Sequence, residues 1–85
     1  MSALCKIGNN IVLAKAALGM TTAELARLSG MSETPVAYMS NGSRDSGITR
    51  YIAIARAMGL TLGQLVGEQE MPHDRAEWRR RMGRI

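Results

Sequence analysis

The chain has 85 residues and a mass of 9.2 kDa, with 46% apolar and 21% charged residues. That length excludes a two-domain reading, and the balance excludes a disordered or fibrous chain. Of its 11 basic residues, against 7 acidic ones, only Lys6 and Lys15 are lysine, and the net charge is +4; a surplus carried by arginine suits a polyanionic partner, whether nucleic acid, acidic protein or membrane surface.

Apolar residues recur at helical spacing along the chain. Leu4, Ile7, Ile11, Ala14 and Leu18 make one stripe of a helix from about Ala3 to Leu18, which Gly19 stops. Gly8 inside it costs about 1 kcal/mol of helix propensity against Ala and predicts irregular first turns. Thr21-x-x-Glu24 has the spacing of a capping box and opens a second helix, with Leu25, Ala26 and Leu28 as its buried positions and Gly30 as its end. Ser32 is placed to cap a third helix over Glu33 to about Ser40, where Pro35 falls in the tolerant first turn, Val36 and Met39 face inward and Asn41-Gly42 is the stop.

After the loop Ser43-Arg44-Asp45, Ser46 is placed to cap a fourth helix reaching Met58, with Ile48, Ile52 and Ala55 inward and Tyr51 or Met58 as further core candidates. Thr61-x-x-Gln64 repeats the capping-box pattern for a short fifth helix carrying Leu62, Leu65 and Val66, and Gly67 closes the unit. From Glu68 the composition changes, and Asp74 to Ile85 holds five arginines. Trp78, Met82 and Ile85 are spaced for one face of an optional sixth helix that Asp74-x-x-Glu77 would cap. The expected architecture is therefore all-α: a bundle of about five short helices over residues 1–67, followed by a basic tail over 68–85.

The second helix, its Gly30 turn and the third helix have the layout of a helix-turn-helix, whose second helix fits the roughly 12 Å major groove of DNA. Leu25-Ala26, the Ser29-Gly30-Met31-Ser32 turn, Val36, Asn41-Gly42 and the Ala55 to Leu62 segment, in this order and spacing, resemble the Cro and lambdoid-repressor helix-turn-helix family. With the helix before it, the resemblance covers about four fifths of the chain. It implies a lambda-repressor-like fold and a dimeric regulator, most readily a phage or prophage repressor, that binds a palindromic operator in double-stranded DNA.

Carried over position by position, the resemblance makes Ser32, Glu33, Thr34, Ala37 and Tyr38 the candidates for base contacts. Lys15, Thr22, Asn41, Ser43 and Arg44 become the candidates for phosphate contacts. The physical chemistry agrees for several of them. Thr34 offers a hydroxyl and a methyl group to base edges, Thr22 stands at a helix N-terminus that favours an anion, and Arg44 is a charge-assisted donor. Glu33 is repelled by phosphate but accepts from cytosine N4, so it is expected to select a C·G pair or to act against wrong sequences. Where the family often has an acidic residue before Asn-Gly, paired to a basic residue of the first helix, this chain has Ser40 and Lys15. Its third helix holds no Arg, Lys, Gln or Asn before Asn41.

Plainer readings stand beside these. Glu33 also complements a helix dipole, Tyr38 also suits a half-buried rim and Thr22 also suits a simple helix start. Met31, Met39 and Met58 are expected in the core, His73 in a solvated loop, and Cys5 as a small structural or exposed thiol. The Arg79-Arg80-Arg81 run is a solvated helix face or flanks a surface through which Trp78, Met82 and Ile85 dimerise, dock on the bundle or meet a protein partner. The lone Cys5 allows no internal disulfide, and no run approaches the roughly 20 apolar residues of a membrane span or the pattern of a signal peptide. A cytoplasmic protein without a membrane partner is expected. No pattern for metal, cofactor or catalysis is visible, so an enzyme is not expected. Two other classes remain: the antitoxin of a toxin–antitoxin pair, and a protein-interaction module that kept the fold without DNA binding.

Overall fold

Ser2 opens the first helix by accepting the Cys5 amide on its hydroxyl at 3.2 Å, and α1 then runs through Ala3–Leu18. The computed structural model describes residues 2–72 and 75–82. After α1 come α2 (Thr22–Ser29), α3 (Glu33–Asn41), α4 (Ile48–Ala57), α5 (Leu62–Leu65) and α6 (Arg75–Met82), with no strand among the described residues. The expected bundle of short helices with a further helix in the tail is what forms.

Both capping boxes close. The Thr21 hydroxyl accepts the Glu24 amide at 3.1 Å while the Glu24 carboxylate accepts the Thr21 amide at 2.9 Å. Thr61 and Gln64 do the same at 3.1 and 3.0 Å. The two single-residue caps differ from expectation. Ser32 stands at the N-cap of α3 without a side-chain bond to the helix. Ser46 is one position too early, because α4 is capped by Gly47 and the Ser46 amide donates to the Tyr51 hydroxyl at 3.1 Å.

Gly8 does not loosen α1. A Cβ built on it would lie 2.6 Å from the Ser40 carbonyl oxygen and 3.1 Å from that of Met39, so α1 and α3 meet here with no side chain between them. Gly42 completes the contact from the other side: its φ is +70°, and a Cβ there would stand 3.0 Å from the Leu4 carbonyl. The helix propensity lost at Gly8 is the cost of this approach.

Ile11, Leu25, Val36, Met39, Ile54, Met58 and Leu65 are the largest fully buried side chains, one or more from every helix up to α5 except that Met58 follows α4. Met31 packs against this core from its edge. Two expected core residues point outward: Leu28 is 49% and Ile48 58% exposed. On α2, Leu28 lies two positions, about 200°, beyond buried Ala26. On α4 the stripe Tyr51, Ile54, Ala55 and Met58 takes the core, which turns Ile48 to solvent and leaves Ile52 half-buried.

Polar side chains tie the later segments to α1. Asn10 donates its amide to the Leu65 carbonyl at 2.9 Å and the Gln64 carbonyl at 3.3 Å, and buried Gln64 donates to the Glu70 carbonyl at 2.9 Å. The chain then returns through buried Pro72 to α6, which packs on α1 and places Trp78, 4% exposed, in the same core. His73, Asp74, Ile85 and the side chain of Met82 lie outside the described residues.

Candidate nucleic-acid interface

The α2–turn–α3 unit is held at its bend by local bonds. The Met31 amide donates to the Ala26 carbonyl at 2.9 Å, and Gly30 takes a φ of +74° that a side chain would resist. The Ser29 hydroxyl donates back to the carbonyls of Leu25 at 2.8 Å and Ala26 at 3.1 Å. Burial of Val36 and Met39 then fixes which side of α3 faces outward. Ser32, Glu33, Thr34 and Ala37 are exposed there, and Tyr38 is half-buried.

Four of the residues singled out from the sequence share one cleft. Ser32, Thr34, Tyr38 and Arg44 line it together with Pro35, Asp45, Ser46 and Arg50. The Arg44 guanidinium lies over the Tyr38 ring, 4.4 Å from its centroid, within the range of a cation–π contact. Glu33 and Ala37 are on the same outer side of α3 but do not line the cleft. Asn41 is exposed and accepts the Ser43 amide on its side-chain oxygen at 2.9 Å, which closes the turn after α3. Lys15 and Thr22 meet each other instead: the Lys15 ammonium donates to the Thr22 hydroxyl at 2.6 Å, joining α1 to the first turn of α2. Ser40, beside Asn41, has its hydroxyl buried without a hydrogen-bond partner. Trp78 is elsewhere, in the core.

The far wall of the cleft is set by a polar knot that the sequence reading missed. Asp45 accepts the Gly47 amide and the Tyr51 hydroxyl on one carboxylate oxygen, each at 3.0 Å, and the Tyr51 oxygen in turn accepts the Ser46 amide at 3.1 Å. The Gly47 amide first and the Tyr51 hydroxyl second hold the Asp45 carboxyl below its ordinary range, so it is ionised at neutral pH. Burial chiefly pushes the Tyr51 phenol up, with the Asp45 carboxylate adding to the rise against the Ser46 amide, so Tyr51 remains a donor. Asp45-x-Gly47 was the available signal, since Asp bonding its own backbone two residues on is a turn device. Arg50, also missed, comes to the cleft from the first turns of α4. The described residues contain no group of three or more His, Cys, Asp or Glu side chains able to hold a metal, and no helix among them is long and apolar enough to cross a membrane.

No family model matches the chain, and no curated protein does. Solved structures do. Over 73% of its length, and 94% of the other chain, it is similar to the restriction-modification controller protein C.AhdI from Aeromonas hydrophila, at 26% identity and a TM-score of 0.69. Its fold is shared with regulators. Over 80% of its length it superposes on the clp gene regulator ClgR from Corynebacterium glutamicum with a TM-score of 0.74 and 19% identity, covering 72% of one ClgR structure and 87% of another. The resemblance drawn from the sequence is thereby supported at the level of a helix-turn-helix regulator fold.

Proposed function

We propose that the protein is a sequence-specific DNA-binding transcriptional regulator that reads the major groove with the outer side of α3. The observation that carries this reading is the exposed first turn of a helix-turn-helix recognition helix, placed beside a cleft that holds Arg44 and Arg50. The names of the two neighbours, a restriction-modification controller protein and a clp gene regulator, support it.

In this account Thr34 and Ala37 meet thymine methyl groups, Ser32 and Thr34 exchange hydrogen bonds with base edges, and Glu33 accepts from a cytosine amino group. Asn41, Ser43 and Arg50 serve the backbone on one flank of the helix, and the bonded pair of Lys15 and Thr22 serves it on the other, at the N-terminus of α2. The protein acts as a homodimer on an approximate palindrome, in the manner of the Cro and repressor family, and represses by occupying a promoter. A phage or prophage switch is the setting this reading favours.

Selection of bound duplexes from a random pool, with affinity repeated at two salt concentrations, tests it. The expected result is an enriched palindrome whose half-site centres lie one helical turn, roughly 34–36 Å, apart. Steep salt dependence without enrichment would reduce the function to backbone binding, and absence of binding at both salt concentrations would overturn it.

A further inference from the structure

We propose that Arg44 reads a guanine, and that the Tyr38 ring and the Asp45–Tyr51 knot are there to aim it; this rests on the DNA-binding reading above. The starting point is a shortage. From Glu33 to Ser40 the recognition helix has no Arg, Lys, Gln or Asn, the side chains that pair bidentately with purine edges. Arg44 follows the helix, yet it does not stand apart from it. Its guanidinium lies over Tyr38, a residue of the outer side of α3, in the same cleft as Ser32 and Thr34.

Three features of the cleft separate base reading from a phosphate contact. First, the ring covers one side of the guanidinium and limits its rotamers before DNA arrives. An ordered planar fork suits guanine, whose O6 and N7 accept it in one in-plane orientation, more than a phosphate, whose oxygens accept it in several. Second, the neighbouring wall carries the Asp45 carboxylate, bonded to the Gly47 amide and the Tyr51 hydroxyl. An ionised carboxylate lining the cleft that holds Arg44 repels the full charge of a phosphate more than the partial charges of guanine O6 and N7, and it can accept from the cytosine amino group of the same pair. Third, the loop that carries Arg44 is pinned at both ends. The Ser43 amide donates to the Tyr38 carbonyl and the Asn41 side chain, and the Ser46 amide donates to Tyr51. Asp45 and Tyr51 are positioning residues in this scheme, and Arg44 is the contact.

The base preference of the wild-type protein, read from selected and sequenced duplexes, is compared with those of Arg44→Lys, Arg44→Ala and Asp45→Ala. Arg44→Lys keeps the charge and loses the planar fork. It is expected to bind DNA with near wild-type general affinity while discrimination at one G·C pair per half-site falls about ten- to a hundredfold. Asp45→Ala, which keeps Arg44 but removes the acceptor of the Gly47 amide and the Tyr51 hydroxyl, is expected to weaken the same position and no other. A uniform loss across all sequences in Arg44→Ala, with a salt slope lower by about 1, would make Arg44 a phosphate contact and overturn the proposal. So would an unchanged preference in Arg44→Lys. If the wild-type protein itself selects no sequence, the DNA-reading function fails with it; if it selects one that the Arg44 variants retain, only the role of Arg44 falls. Circular dichroism of each variant, all at exposed positions, checks that the helices are intact.

Discussion

On its inner side α3 meets α1 backbone to backbone: a Cβ on Gly8 would collide with the Ser40 carbonyl and one on Gly42 would crowd that of Leu4, while Val36 and Met39 are fully buried in the core. On its outer side the same helix faces an open cleft of hydroxyls, two arginines and one carboxylate, held in shape by hydrogen bonds of loop 43–47. The inner side fixes the position and rotation of α3 by contacts that allow no change of shape. The outer side has side chains that can be exchanged without moving the backbone. Rigidity and chemical variety are thus assigned to opposite sides of a nine-residue helix, and substitutions on the two sides should fail in different ways.

The largest loss is expected from Trp78→Ala. Trp78 of α6 is buried in the core shared with the other helices, and removing this ring costs about 3 kcal/mol or more, read as a lower midpoint in urea unfolding. Gly8→Ala comes next at about 2 kcal/mol. Because it pushes on the Ser40 carbonyl, it should also weaken DNA binding, which an effect confined to stability would not do. Thr21→Ala removes the hydroxyl half of a capping box and should cost about 1 kcal/mol, lowering the thermal midpoint of the purified domain. The outer side should be nearly silent by the same measure: Arg44→Ala should change stability by less than about 0.5 kcal/mol.

Acid acts instead on loop 43–47 and on the cap of α2. Asp45 is held below its ordinary value by the Gly47 amide and the Tyr51 hydroxyl, and Glu24 by the Thr21 amide and hydroxyl. Groups with depressed folded values contribute stability that is present above the ordinary carboxylate range, near pH 4, and is lost as pH falls through the folded values. Thermal midpoints should therefore be level from neutral pH to about 5 and decline below about 4, with a shallower decline in Asp45→Asn. A decline of unchanged depth in that variant would remove the knot from the account.

The sequence reading found what is local. Thr21-x-x-Glu24 and Thr61-x-x-Gln64 announce their helices because each cap is complete within four residues. The outward set on α3 follows from the spacing of Val36 and Met39. What was not legible depends on distant segments meeting. Gly8 looked like a defect because its partner, the Ser40 carbonyl, is 32 positions away. Ile48 looked like core because two apolar stripes share Ala55 on α4, and only packing against α2 and α5 chooses between them. The cleft was half visible: Ser32, Thr34, Tyr38 and Arg44 were named as separate contacts, while Arg50 and the Asp45–Tyr51 knot that join them come from the loop and α4.

The central claim is that the outer side of α3, with its cleft, is the surface that meets DNA. Backbone amide shifts of the isotopically labelled protein, followed as a selected duplex is added, test it most directly. The account predicts the largest changes at residues 32–34, 36–38 and 41–46, with smaller ones at Lys15, Thr22 and Arg50, and little change at exposed Val12 and Leu13 on α1. Changes concentrated on α1 or α6, with α3 and the cleft unmoved, would contradict it.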